Sequence, residues 1–104
     1  MSSLTVRTEM ARAILARGFP RAVIDTERRL RMGFRKPAFA DVMVREEGVK
    51  KLVVRLNGGL FPKVTVMPRS REQRPMAEEI CRKLKEAGLS NPRIEEMPSE
   101  HKVD

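Results

Sequence analysis

Between Phe39 and Met67 the apolar residues recur at every second position, and that period is what most constrains the fold of this chain. Ala40, Val42 and Val44 alternate with Asp41, Met43 and Arg45. Leu52, Val54 and Leu56 alternate with Lys51, Val53 and Arg55, and Val64 and Val66 alternate with Lys63, Thr65 and Met67. Successive side chains of a strand point to opposite faces, so three strands are expected, each with one apolar face. Glu46-Glu47-Gly48 can turn the chain after the first strand, and Asn57-Gly58-Gly59 offers the positive φ values of a tight hairpin after the second. Pro62 cannot donate to a ladder, so the third strand is expected at a sheet edge or with a bulge at Pro62.

Helical spacing flanks this block. From Leu4 to Arg17, Val6, Met10, Ala13 and Ile14 fall on one side, with Ser3 or Thr5 as N-cap and Gly18 as a stop. Pro20 suits the first turn of a second helix over 20–32, ended by Gly33, with Val23, Thr26 and Leu30 on one face and Arg21, Arg28 and Arg31 beside it. Met76, Ile80, Leu84 and Ala87 mark a last helix. Glu78–Arg82, Glu79–Lys83 and Arg82–Glu86 are its i,i+4 pairs, and Gly88 is placed at C′.

The expected fold class is α+β: a three-stranded antiparallel β-meander packed by helices on one face, in the order α-α-β-β-β-α, with a short C-terminal strand over 93–97 as an addition. Such a meander buries Val42, Val44, Leu52, Val54, Leu56, Val64 and Val66. One α+β domain is expected over 1–98, followed by a disordered charged tail over 99–104.

No run of 18 apolar residues occurs, so no membrane span and no membrane partner are expected. Cys81 is the single cysteine, which excludes an intrachain disulfide and suits a cytoplasmic protein, and arginines interrupt any signal-peptide pattern at the start. Cys81 lies beside the apolar face of the last helix, where a free cysteine acts as a small hydrophobe.

Catalytic chemistry is not in evidence. The one histidine, His101, lies in the polar tail, away from any nucleophile. One Cys and one His cannot make a common zinc set, so no metal is expected. Glu46-Glu47, Glu78-Glu79 and Glu95-Glu96 are adjacent pairs whose side chains diverge, and no phosphate-loop or dinucleotide glycine motif is present. The chain is therefore expected to be no enzyme and to need no cofactor.

The charge is the positive signal. The 22 Lys and Arg against 14 Asp and Glu leave a net charge of +8, and residues 1–36 carry nine basic groups against Glu9, Asp25 and Glu27. Such a balance favours polyanions. Three clusters are candidates for phosphate contact: Arg21, Arg28, Arg31 and Arg35 along the second helix; Arg45, Lys51, Arg55 and Lys63 beside Phe61 on the outward sheet face; and Arg69, Arg71 and Arg74 before the last helix. The first and third are the stronger. The expected function is non-enzymatic nucleic-acid binding, to DNA or RNA, through these arginines. The alternative is a small adaptor or inhibitor docking an acidic protein through a basic face or an exposed β-edge.

A helix, a three-stranded meander and a helix is an order similar to that of double-stranded RNA-binding domains. The residues that would carry the likeness are missing, since the start of the last helix reads Arg71-Glu72-Gln73-Arg74-Pro75-Met76-Ala77. A helix-turn-helix reading with Gly18 at the turn puts Arg17 and Glu27 where apolar residues belong. No family is assigned on these residues.

Overall fold

A computed structural model describes residues 3–29, 39–58, 62–89 and 91–96. The fold is α+β. Helix α1 (Ser3–Gly18) is followed by strands β1 (Val23–Arg29), β2 (Phe39–Glu46), β3 (Val49–Asn57) and β4 (Lys63–Pro68). A 3-10 turn (Arg71–Gln73) then leads into helix α2 (Arg74–Glu86) and strand β5 (Pro92–Ile94). The five strands form one sheet in the order β1-β2-β3-β4-β5. The first four pair antiparallel, and β5 returns parallel to β4 through the α2 crossover.

The alternation in 39–67 is realised residue by residue. Val42, Val44, Leu52, Val54, Leu56, Val64 and Val66 are all buried, and they pack with Ala11 and Leu15 of α1 and Ala77, Ile80 and Leu84 of α2. Both helices therefore lie on one face of the sheet. On the opposite face Met43, Val53 and Met67 form a separate small cluster. Glu47 (φ 56°) and Gly48 (φ 79°) both occupy the left-handed region, the geometry of a two-residue hairpin turn whose twist matches its strands.

Three expectations are corrected. The three-stranded meander is the centre of a wider, mixed sheet of five strands. Residues 23–29 are strand, not helix: β1 aligns all seven residues with Arg45–Phe39 of β2 and places Ile24 and Thr26 opposite Val44 and Val42. Val23, Ile24 and Thr26 are β-branched and suit a pleated surface, and a full ladder outweighs a weak helical pattern. The remaining residues of the expected helix, Leu30 to Gly33, lie outside the described residues. Third, β4 is an interior strand. Pro62 precedes the first ladder pair, Asn57↔Lys63, so its missing N–H takes nothing from the sheet, and β5 covers the side that was expected to be open. The β3–β4 connection is also longer than a two-residue turn, and Gly59 lies outside the described residues.

α1 buries a different face from the one its apolar spacing suggests. Val6 and Met10 are 44% and 39% exposed, whereas Thr8, Ala11 and Leu15 are buried and Leu4 packs beside them. The stripe 4, 8, 11, 15 has helical spacing, the small Ala11 lets the helix approach the sheet, and the Thr8 hydroxyl donates to the Leu4 carbonyl at 2.7 Å. α2 follows expectation, with Ala77, Ile80 and Leu84 buried. It ends in a Schellman motif: Gly88 (φ 96°) donates to the Lys85 carbonyl and Leu89 to the Leu84 carbonyl, each at 3.0 Å. Its surface pairs are Arg74–Glu78, Lys83–Glu79, Arg82–Glu79 and Arg82–Glu86, so Glu78 pairs with Arg74 instead of Arg82. No helix among the described residues is long and apolar enough to cross a membrane.

Candidate functional site

Four strands meet at one end of the sheet: the start of β1, the end of β2, the start of β3 and the end of β4. The ladder pairs Val23↔Arg45, Arg45↔Lys50 and Leu52↔Pro68 set this alignment. At about 4.8 Å per strand, Val23 and Pro68 lie roughly 14 Å apart. Antiparallel topology brings every segment adjoining this end to the same place. Arg21 precedes β1, Lys50 and Lys51 open β3, and Arg69, Arg71 and Arg74 follow β4 into the N-terminus of α2. α1 also ends here at Gly18, after crossing the sheet from its other end, where Arg7 donates to the Asn57 carbonyl at 2.9 Å.

This arrangement regroups the arginines. Arg21 and Arg28 do not share a helix face. Arg21 lies in the turn before β1 and Arg28 near the far end of that strand, roughly 15–20 Å away at about 3.3 Å per strand residue. Arg28 donates to the Thr5 hydroxyl at 3.3 Å, near the start of α1. Arg31 and Arg35 lie outside the described residues. Arg74 is committed to two carboxylates, Glu78 at 3.4 Å and Glu96 at 3.5 Å. Arg69 donates its backbone N–H to the Gln73 side chain at 2.6 Å, which fixes the loop before α2, and Arg71 is exposed. Glu72 beside it is held below the usual carboxylate range, first by its own backbone N–H, then by the Ser70 hydroxyl and, more weakly, by the charge of Arg71.

The outward-face cluster also separates. Arg55 is clamped by Asp41, with Nε and Nη2 donating at 2.8 and 3.0 Å, and its guanidinium stacks 4.3 Å from the centroid of the Phe39 ring. The hydrogen bond to Asp41 is the main reason the Arg55 guanidinium is held above its ordinary pKa. Arg45 faces Asp25 at 3.5 Å. Phe61 lies outside the described residues. Lys51 leaves that face altogether: the ladder passes from Val44↔Leu52 to Arg45↔Lys50, so Lys51 is the extra residue of a β-bulge. A bulge re-aims a side chain, and this one turns Lys51 to the end where α1 stops.

There a cavity of about 270 Å³ opens between the α1–β1 turn, the bulge and the first turn of α2. Its lining is apolar at Phe19, Pro20, Ala22 and Met76 and charged at Arg21, Lys51 and Glu46. Arg21, Lys51 and Glu46 form no ion pair or side-chain hydrogen bond with another described residue.

No family model matches the chain, and neither a curated protein nor a solved structure matches it.

The chemistry open to this end of the molecule is anion capture, with Arg21 and Lys51 forming no ion pair with another described residue. Among the described residues no group of three or more His, Cys, Asp or Glu gathers as a metal cluster. Cys81 is partly buried on α2, and burial, reinforced by the negative charge of Glu78, pushes its thiol pKa up, which keeps it un-ionised and poorly nucleophilic. Sequence reasoning grouped the arginines by helical period and so missed Phe19, read Met76 only as part of the apolar face of the last helix, and put Lys51 on the outward sheet face. The usable signal was Gly18-Phe19-Pro20, a large apolar side chain held between a helix stop and a proline.

Proposed function

We propose that the protein is a non-enzymatic nucleic-acid-binding protein that takes backbone phosphates at the sheet end carrying Arg21, Lys51, Arg69 and Arg71. The observation that supports this reading is the convergence of basic residues from three separate chain segments onto one end of the sheet, in a chain of net charge +8. Phosphate neutralisation releases condensed counterions, so binding through this end weakens steeply with salt. The test is fluorescence anisotropy with labelled single-stranded and duplex oligonucleotides at about 50 and 200 mM salt. Arg21→Glu, Lys51→Glu and Arg71→Glu are each expected to weaken binding and to lower the salt slope by about one. Unchanged affinity in all three variants would overturn the reading.

One observation favours a second reading, an acidic protein partner docked by strand addition. β1 is an outer strand seven residues long, and among the described residues no strand pairs with its outer edge. A nuclease-insensitive complex of defined stoichiometry that Thr26→Pro abolishes would establish this reading in place of the first.

A further inference from the structure

We infer that the cavity beside Phe19 seats one unpaired nucleobase of a single strand, preferring a base that carries an exocyclic amine. The inference rests on the nucleic-acid reading above and names its substrate class. A nucleobase has flat apolar faces and a polar edge, and the cavity has that pair of features: an apolar lining of Phe19, Pro20 and Met76, and a single carboxylate, Glu46. Arg21 and Lys51 line the same cavity, and their side chains can reach phosphates adjoining an inserted base. These three charged groups are not engaged with one another or with any other described residue, so a ligand breaks no ion pair among the described residues.

Size narrows the ligand. At about 270 Å³ the cavity falls just below the roughly 300–1,000 Å³ of sites for drug-sized ligands, which is room enough for one base. Duplex bases are covered on both faces and paired along their edges, so they reach such a cavity only after unstacking and unpairing. Unpaired bases of single strands are free to be splayed out and stacked on an aromatic ring. The carboxylate of Glu46 accepts hydrogen bonds and donates none. It therefore favours the amine of cytosine over uracil or thymine, whose single N–H is flanked by two carbonyl oxygens that repel it.

The experiment measures anisotropy of short labelled oligocytidylate, oligouridylate and oligothymidylate strands and of a mixed-sequence duplex, in ribose and deoxyribose forms, with cytidine monophosphate as competitor. Expected are single-strand binding at least about tenfold tighter than duplex binding, and cytosine strands about tenfold tighter than uracil or thymine strands. Glu46→Gln, a change on a partly exposed strand end, is expected to shrink the cytosine preference while leaving the salt slope unchanged. Phe19→Ala is expected to weaken single-strand binding with little effect on whatever duplex binding remains. Its folding is checked by its thermal transition, and Glu46→Gln keeps the test decisive if Phe19→Ala does not fold. Equal, salt-steep binding of single strand and duplex with no base preference overturns the cavity assignment while the phosphate-binding reading stands. Absence of binding to every oligonucleotide overturns both. Competition by cytidine monophosphate at the affinity of the strand overturns the single-strand assignment.

Discussion

The two faces of the sheet are built on different principles. On the helix side seven aliphatic residues from β2, β3 and β4 meet Ala11, Leu15, Ala77, Ile80 and Leu84, and the buried Thr8 of α1 satisfies its hydroxyl within its own helix. On the other side a small apolar patch, Met43, Val53 and Met67, adjoins an ion pair whose carboxylate, Asp41, is only 4% exposed. Burial of aliphatic side chains is non-directional and adds up along the whole layer. A clamped Asp41–Arg55 pair adds little net stability, because desolvation offsets attraction, but it is directional and ties β2 to β3 in one register. One face supplies stability; the other restricts which strand alignment that stability can favour.

This contrast can be broken most severely from the helix side. Leu52→Ala removes a fully buried side chain of this layer and is expected to cost roughly 2–5 kcal/mol in chemical denaturation. If the loss is under about 1 kcal/mol, the layer is not close-packed there. On the opposite face Asp41→Ala leaves Arg55 without its clamp. Arg55 keeps 31% of its side chain in water, so the expected loss is about 2 kcal/mol, less than the roughly 3–5 kcal/mol of a wholly buried pair. Replacing both partners, Asp41→Leu with Arg55→Leu, is expected to recover most of that loss, and the same denaturation midpoints report it. A smaller effect concerns Cys81. Its thiol pKa is raised in the folded state above the ordinary value of 9.0, so its contribution is fully present below that pH and is lost as pH rises through the folded value. Alkylation by iodoacetamide near neutral pH should accordingly run slower than for an unstructured peptide thiol, and rates equal to the peptide's would show that the site is wet. The smallest effect is expected on the outer surface of α2. Arg82→Ala, which removes exposed pairs to Glu86 at 3.1 Å and to Glu79 at 3.9 Å, should change stability by less than about 0.5 kcal/mol.

How much of this was legible in the chain follows from how local each signal is. Alternation within 39–67 is written into neighbouring residues, so the strands and their buried face can be read directly. Gly88 likewise stands at the one position after α2 where a left-handed residue closes the helix. β1 is different. Its polar run Asp25-Thr26-Glu27-Arg28-Arg29 has no apolar alternation, and Val23, Thr26 and Leu30 mimic helical spacing, so only pairing with β2 settles its state. The face of α1 was misread because Thr8, a polar residue, belongs to the buried stripe once its hydroxyl is satisfied by the preceding turn. At the candidate site the difficulty is greater. Lys51 changes direction because of a register shift against Val44 and Arg45, and the cavity draws its walls from segments more than 50 residues apart, Phe19 and Met76 among them. Neither fact is a property of any short window of sequence.

The parallel return of β5 bears on assembly. With only three residues, β5 offers a fresh chain almost no template, whereas β1 offers seven. Among the described residues Pro92–Ile94 thus keeps the second edge of the sheet short, and a chain cut after Gly88 would lay bare the edge of β4, six residues long.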